Sequence, residues 1–157
     1  MVPPAPKYTI DTCSLTAMRR VYPEDVFPSA WRKLSGLAES GVLVSLELVL
    51  NELEAQDDVV FQWAENYRAV FHPLDEAVQR EARRVLSTHQ NLLDLKRRKS
   101  GADPFVVAHA IVNRCAVVTE EKPSGGPHKS KIPDVCKAYH VECITILEMF
   151  RKEGLRL

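Results

Sequence analysis

The sequence has no long apolar run and no net charge. None of its apolar stretches approaches the roughly 20 residues that a membrane-spanning helix needs, and residues 1–6 lack the charged-then-apolar layout of a signal peptide. Lys and Arg together number 21, as do Asp and Glu, so no overall field draws the protein to nucleic acid or membrane. We therefore expect a cytoplasmic protein with no membrane contact, in which any attraction to a polyanion comes from local segregation of charge.

Cysteines are few and lack a pairing motif. The four are spread along the 157 residues without a Cys-x-x-Cys pair, and a domain of this size has a core that needs no disulfides. We expect them to be reduced and mostly buried. The alternative is a zinc site made by Cys136, His140 and Cys143. It is disfavoured because their spacing is unusual for zinc and no fourth ligand is nearby.

Hydrophobic period and turn residues predict alternating strands and helices. Predicted strands cover 7–11, 42–44, 115–119 and 141–146. Predicted helices begin at about 14 and cover 28–39, 47–56, 58–67, 74–96 and 104–113, with a closing helix at the end. Helices that separate short apolar strands imply crossover connections and a parallel sheet covered on both faces. The pattern predicts an α/β fold, a three-layer α/β/α sandwich around a central, mostly parallel, twisted sheet, in a single domain over 1–157.

Four acidic residues stand where such a fold would bring them to one edge of the sheet: Asp11, Glu52, Asp103 and Glu120. Asp11 and Glu120 each follow an apolar run that we interpret as a buried strand. In open α/β sheets, ligands bind outside the carboxyl ends of the strands. Because clustered carboxylates favour a hard cation, this edge is a candidate metal site.

Each of these acids also has a simpler structural explanation. Asp11, at the end of the first strand, suits the N-cap of the next helix, and Asp103 before Pro104 suits the start of a helix. Glu52 lies in a mostly buried segment, and Glu120 begins a loop, where solvated acids are common. Capping and metal binding are compatible, so both interpretations stay open on pattern alone.

In combination, the segments YTIDTCSL, VLNELE, GADPFVVAHA and VVTEE, in this order and at these separations, resemble the PIN-domain nucleases. The pattern of that family is an Asp after the first strand, a Glu in a helix after the second, an Asp opening a later helix and an acid after the next strand. Trp31 after Phe27-Pro28, Trp63 after Asp57-Asp58, and the late segment KIPDVC resemble more narrowly a PIN-like group catalogued as a domain of unknown function, DUF4411.

The resemblance implies roles for individual residues. Asp11, Glu52, Asp103 and Glu120 map onto the catalytic, metal-binding acids, which implies Mg²⁺ or Mn²⁺ as the cofactor. Many PIN nucleases carry Asp at the fourth position, so Glu121 and Asp134 are the substitutes for Glu120. The expected substrate-binding residues are neighbouring hydroxyls and cations: Thr12, Ser14, Arg98, Lys99, Thr119, Lys129 and Lys131.

Two basic clusters flank the acids in sequence. Residues 96–99 (KRRK) directly precede Gly101-Ala102-Asp103, and a second set of cations occupies the loop after Glu120. They could form a positive rim for RNA around an acidic centre, or simply a solvated helix end and a loop. His109 lies on the apolar helix after Asp103, where a core histidine is the expected role.

The function implied by the resemblance is metal-dependent hydrolysis of RNA phosphodiesters by an endoribonuclease. Small stand-alone PIN proteins of the VapC kind are often toxins, so an antitoxin protein and a second copy of the chain are further expected partners. The alternative is a catalytically inactive PIN-like module that binds RNA or protein. A haloacid-dehalogenase-like phosphatase is disfavoured because Cys13 occupies its second Asp position, and a dinucleotide-binding enzyme because no Gly-x-Gly-x-x-Gly follows the first strand.

Overall fold

The computed structural model of the protein describes residues 4–89, 101–124 and 131–156. Its strands are β1 (Tyr8–Ile10), β2 (Leu43–Leu46), β3 (Phe71–His72), β4 (Ala116–Val118) and β5 (Cys143–Ile144). Its helices are α1 (Thr12–Val21), α2 (Pro28–Glu39), α3 (Glu47–Gln56), α4 (Asp58–Glu65), α5 (Glu76–Thr88), α6 (Asp103–Asn113), α7 (Ile132–Ala138) and α8 (Ile146–Lys152). A single 3₁₀ turn, Arg68–Val70, precedes β3. None of these helices is both long and apolar enough to cross a membrane.

The five described strands form one parallel sheet in the order β3-β2-β1-β4-β5. This confirms the predicted α/β sandwich with helices covering a parallel sheet. From β1 the chain builds outward to β2 and β3, and then returns to place β4 on the other side of β1. The order therefore reverses between β1 and β4, and the carboxyl ends of strands at such a switch point border a crevice.

Strands β1 and β2 are buried along their whole length, which explains their mostly apolar character. The few polar side chains within them are hydrogen-bonded. The Ser45 hydroxyl donates to the Ile10 carbonyl at 2.7 Å, and Thr9 Oγ1 lies 2.8 Å from His109 Nδ1. These bonds satisfy polar groups that would otherwise be costly to bury between the layers.

Helix α6 lies across the sheet and contacts β1, β2 and β4. Val106, Val107 and Ala110 are buried in the core, as is His109, which confirms the prediction of a core histidine. A helix that is apolar on most sides is held by packing all around it. Its first residue, Asp103, is thereby placed at a fixed point beside the sheet.

Some predicted boundaries differ from the structure. The strand β3 was not predicted, because two residues between helical segments carry no readable period. The strand predicted over 141–146 shrinks to Cys143–Ile144, since Thr145 already caps α8 with its side chain. Helix α5 ends at Thr88, and the remainder of the helix predicted over 74–96 lies largely outside the described residues.

Helix α4 depends on a specific cap. Asp57 is 7% exposed, and its Oδ1 accepts 3.1 Å hydrogen bonds from the backbone N–H groups of Val59 and Val60. Its Oδ2 lies 3.5 Å from Arg19 Nη1. We expect Asp57→Ala to lower the free energy of unfolding by about 1–2 kcal/mol in urea titrations. The adjacent exposed Asp58→Ala is the matched control, with an expected loss below about 0.5 kcal/mol; equal losses would contradict the capping role.

Candidate metal centre

The candidate site lies where β1 and β4 end side by side. Asp11 follows β1 directly, and its backbone N–H donates to the Val118 carbonyl of β4 at 2.9 Å. Thr119 follows β4, and its N–H donates to the Ile144 carbonyl of β5 at 2.9 Å. The backbone of both segments is therefore tied to neighbouring strands, which fixes where the side chains that follow can reach.

Three carboxylates meet at this point. Asp11, Asp103 and Glu121 each offer an oxygen, and these oxygens all lie within 4.8 Å of one another. In the part of the chain that the structure describes, no other three His, Cys, Asp or Glu side chains come together in this way. Asp11 and Asp103 are only 3% and 7% exposed, so their charges are largely removed from water.

Asp11 occupies the N-cap position of α1, but its side chain makes no capping hydrogen bond. Its Oδ2 instead accepts hydrogen bonds from Thr119 Oγ1 and Cys13 Sγ, each at 3.1 Å. Burial raises the pKa of Asp11 to about 6, and the nearby charge of Glu121 adds to the rise, although the two donors oppose it. Helix capping, the simpler explanation from the sequence, therefore does not account for this carboxylate.

Asp103 does not cap helix α6, although the sequence suggested that role. Ala102 is the N-cap of α6, Asp103 is the first helical residue, and the helix has no side-chain cap. Burial, together with the charges of Asp11, Glu121 and Glu52, raises the pKa of Asp103 to about 9. Among the described residues no donor or cation offsets this effect, so the protonated form of the carboxylate is favoured unless a cation binds.

Glu52 lies beside the three acids and is held by hydrogen bonds. Its Oε2 accepts from Thr12 Oγ1 at 2.5 Å, and its Oε1 accepts from the Ala102 N–H at 3.2 Å. Burial raises the pKa of Glu52, while these two donors lower it. Glu52 thus joins α3 to the start of α6 and contributes negative charge near Asp103 without belonging to the three-residue group.

At the fourth predicted position, the structure brings Glu121 to the site instead of Glu120. Glu120 Oε2 accepts from the Ile146 N–H at 3.3 Å and from Ser14 Oγ at 3.5 Å, so this carboxylate lies at the start of α8. Glu121 accepts from the Ile132 N–H at 3.1 Å through Oε2 and still lies close to the two aspartates. The substitute named from the sequence therefore occupies the place expected for Glu120.

Asp134, the second predicted substitute for Glu120, binds backbone groups of the loop after β4 instead. Its Oδ2 accepts from the backbone N–H groups of Ser124 at 3.1 Å and Lys131 at 2.9 Å. Burial opposes ionisation here, yet these hydrogen bonds lower the pKa of Asp134 below its ordinary value. Asp134 joins the two described ends of the loop after β4 and lies outside the three-carboxylate group.

The predicted substrate-binding hydroxyls contact the acids themselves. Thr12 donates to Glu52, Ser14 to Glu120, and Thr119 to Asp11. Thr119 Oγ1 also accepts from the Glu121 N–H at 3.2 Å, so one hydroxyl connects two of the three clustered acids. In this structure these residues position carboxylates, and their contact with a substrate stays a prediction.

The sequence interpretation missed Cys13. Its thiol donates to Asp11, lies 3.2 Å from Thr119 Oγ1 and accepts from the Glu120 N–H at 3.3 Å. Burial raises the pKa of this thiol, as does the charge of Asp11, so Cys13 remains a neutral donor. The only signal was its position in the first turn after Asp11, which also suits an ordinary buried residue.

Most residues of the predicted basic rim lie outside the described part of the chain. Arg98, Lys99 and Lys129 lie outside the described residues. Lys131 is described, at the N-cap of α7, where its backbone N–H bonds Asp134. A positive rim around the acids therefore stays a prediction.

The alternative zinc site does not form among the described residues. Cys136, His140 and Cys143 are absent from the one metal-compatible group, and all four cysteines are free. The thiols of Cys136 and Cys143 hydrogen-bond each other, which raises the pKa of Cys136. Cys115 and Cys136 are buried and the other two are partly buried, close to the prediction of mostly buried, reduced cysteines.

The donor set suits a hard divalent cation. Mg²⁺ and Mn²⁺ prefer carboxylate oxygens, and the three acids provide one such oxygen each. Around Mg²⁺, adjacent oxygens are about 3 Å apart and opposite oxygens about 4.2 Å apart. The three carboxylate oxygens, all within 4.8 Å of one another, are therefore close to the spacing that one shared ion requires. The residues therefore fit the cofactor that the sequence resemblance implies.

The chain matches a protein family of unknown function. A family model described as "Domain of unknown function (DUF4411)" matches residues 8–157, a range that includes every acid discussed above. No curated protein matches the chain. The predicted membership of the DUF4411 family is thus confirmed, whereas the resemblance to PIN nucleases stays a prediction.

The raised pKa values predict how stability depends on pH when no divalent ion is present. With pKa values of about 6 for Asp11 and about 9 for Asp103, against about 4 when unfolded, the folded state binds more protons than the unfolded state between those values. Stability is therefore greatest below about pH 4 for these groups and falls as the pH rises toward about 9. At about 1.4 kcal/mol per pKa unit, the loss through Asp103 between about pH 5 and about pH 8 is on the order of a few kcal/mol.

Urea titrations in EDTA at about pH 5 and about pH 8 measure this loss, with Asp103→Asn as the matched variant. The amide cannot ionise, so the variant should lose less stability between the two pH values than the wild type. Parallel losses in both proteins would show that Asp103 ionises without penalty.

Proposed function

We propose that this chain, which belongs to the DUF4411 family, is a PIN-like, metal-dependent endoribonuclease that hydrolyses RNA phosphodiesters. The observation that carries the proposal is the meeting of Asp11, Asp103 and Glu121 at the switch point of the sheet, with no cation among the described residues to neutralise them. Three buried or half-buried carboxylates oppose folding unless something else offsets their charge. A divalent cation is the ligand that best does so.

The chain's own residues hold the carboxylates for this purpose. Thr119 and Cys13 both donate to Oδ2 of Asp11 and so fix the rotation of its carboxylate. Thr119 Oγ1 also accepts a hydrogen bond from the Glu121 N–H. This bond fixes the backbone that carries Glu121, the second ligand. Asp103 is fixed by the burial of α6. In this way the three ligands are positioned before an ion arrives.

Hydrolysis needs positive charge at the scissile phosphate and an activated water. Asp11, Asp103 and Glu121 would hold a divalent ion, which would supply this charge and lower the pKa of a water. Glu52 is close enough to raise the pKa of Asp103, and its own pKa is raised by burial. We assign to Glu52 the role of an adjacent acid that accepts a proton or orients a water, as an expectation from this proximity.

The choice of RNA as the substrate comes from the resemblance to PIN nucleases, and basic residues support it. Lys122 is exposed in the segment directly after Glu121. The other predicted contacts, Arg98, Lys99 and Lys129, belong to sequence segments that adjoin the site residues. Such cations would attract the phosphates that the carboxylates themselves repel.

An inactive PIN-like binding module is the second candidate, and one observation favours it. With a pKa of about 9, Asp103 is protonated at neutral pH when no ion is present, so the site can be neutralised without metal. The effect of Mn²⁺ on thermal stability distinguishes the nuclease from the inactive module. A competent site gains thermal stability from Mn²⁺ because the ion binds only the folded state, and an inactive module does not.

Cleavage assays test the nuclease directly. We expect the wild-type protein to cleave single-stranded or structured RNA with Mn²⁺ or Mg²⁺, and EDTA to stop the reaction. Asp11→Asn and Asp103→Asn should lose at least about 100-fold in rate, since each removes a charged metal ligand. Equal cleavage by all three identically purified proteins would reveal a contaminating nuclease, and cleavage by none, with no Mn²⁺ stabilisation, would favour the inactive module.

A matched pair of variants tests the geometry of the site. Glu121→Gln should lower both Mn²⁺ stabilisation and cleavage strongly, because Glu121 is one of the three clustered carboxylates. Glu120→Gln should retain most of both, because Glu120 bonds the start of α8 instead. The reverse result would return the fourth position to Glu120 and contradict the arrangement described above.

We further propose a toxin role in the cytoplasm, opposed by an antitoxin protein. This step rests on analogy with small PIN toxins. Expression of the wild type should arrest growth, whereas Asp103→Asn should not, and co-expression of the protein encoded beside it should restore growth. If no neighbouring gene product binds or protects, the toxin role is excluded and the nuclease assignment is unaffected.

A further inference from the structure

A second concave site lies between α2 and α4 and shares no residue with the metal centre. Its volume is about 430 Å³, within the range of small-ligand sites. Both tryptophans of the chain, Trp31 and Trp63, line it, together with Tyr67. We call this site the aromatic cleft.

The aromatic rings of the cleft are held in place before any ligand binds. The ring centroids of Trp63 and Tyr67 are 5.0 Å apart with the planes inclined by 35°. The indole N–H of Trp63 donates to Ser35 Oγ at 3.0 Å, and that of Trp31 donates to the Tyr22 carbonyl at 2.6 Å. Trp63 and Tyr67 are only partly buried, so their rings offer a preformed surface to a ligand.

Helix α2 carries two residues in this cleft that do not suit a helix. Gly36 lies in the helix interior, where glycine is unfavourable, and a Cβ built on it would meet no atom within 4 Å. Glu39 is the last residue of the helix, where the macrodipole disfavours negative charge. Packing does not explain Gly36, whereas Glu39 accepts a 3.5 Å hydrogen bond from the Tyr67 hydroxyl, another residue of the cleft. Positions that break local rules without compensation are expected at functional sites.

The charges of the cleft select the class of ligand. Glu24 and Glu39 are exposed carboxylates at the cleft, against the single cation Arg32, which donates to Ser29. The Tyr67 hydroxyl lies 3.5 Å from Glu39 Oε1, so one carboxylate adjoins the aromatic pair. Aromatic faces beside carboxylates attract cations and repel phosphates. A planar guanidinium can both stack on a ring and bond a carboxylate in two places.

We propose that the aromatic cleft binds an arginine side chain of a basic peptide segment in a partner protein. The guanidinium stacks on Trp63 and Tyr67 and pairs with Glu39, while Glu24 adds a second carboxylate. Gly36 leaves room for the peptide to approach the helix. This inference is independent of the nuclease proposal, because it concerns different residues and a different ligand.

The test uses the intact protein and the peptide Ac-Gly-Arg-Gly-NH₂, titrated at constant ionic strength. Since both tryptophans line the cleft, their fluorescence and their indole N–H resonances report binding directly. We expect saturable changes with a Kd in the millimolar range, as suits one side chain, and no saturation with the neutral citrulline peptide. Equal binding of both peptides, or of neither, would overturn the proposal.

Single substitutions in the aromatic cleft test whether the arginine peptide binds there. Glu39→Gln should weaken binding at least about threefold, and Glu24→Gln should also weaken it, whereas Glu76→Gln on α5 is the matched control and should not. Gly36→Ala should raise the thermal midpoint and still weaken binding, a combination that general destabilisation cannot produce. Unchanged affinity in both glutamate variants, or saturable binding of uridine monophosphate in preference to the arginine peptide, would contradict the assignment.

Discussion

The repulsion among Asp11, Asp103 and Glu121 is the constraint on which the arrangement around the sheet depends. Their oxygens lie within 4.8 Å of one another, and two of the three side chains are buried. The neighbouring charges that shift the pKa values of Asp11 and Asp103 are all negative. Isolated side chains would separate under such a force. They stay together because Asp11 continues a central strand, Glu121 continues the strand beside it, and Asp103 begins a helix that is buried along most of its length.

The hydrogen bonds around the acids do not hold all of them in place equally. Thr119 links Asp11 to the backbone of Glu121, and Glu52 links Thr12 to the backbone of Ala102, so the segments that carry the acids are fastened to each other. Asp103 alone receives no described donor. A fold selected only for stability would remove this penalty, for instance with an asparagine. The presence of this penalty at the switch point of a parallel sheet supports the proposal that the ligand of the site is a cation.

Much of this arrangement was predictable from the sequence. Buried parallel strands are apolar along their length, so the ends of β1 and β4 and the acids that follow them could be located by pattern. The choice between Glu120 and Glu121 could not, because it depends on which way side chains point after the strand ends. Side chains of extended backbone alternate, and Thr119 and Glu121 both serve the acidic cluster while Glu120 bonds the start of α8. The two-residue strand β3 and the role of Cys13 depend on tertiary contacts that leave no local signal.

The net charge of zero conceals two separate concentrations of negative charge. One is buried, made of carboxylates alone, and close enough in spacing for a small hard ion. The other is open, combines Glu24 and Glu39 with aromatic rings, and has room for a planar organic cation. The difference follows from desolvation: water-stripped carboxylates at short range need a compact divalent charge, whereas exposed carboxylates gain little from any cation unless ring faces add to the attraction. Under the two proposals, the same sign of charge in two environments therefore selects two different kinds of ligand.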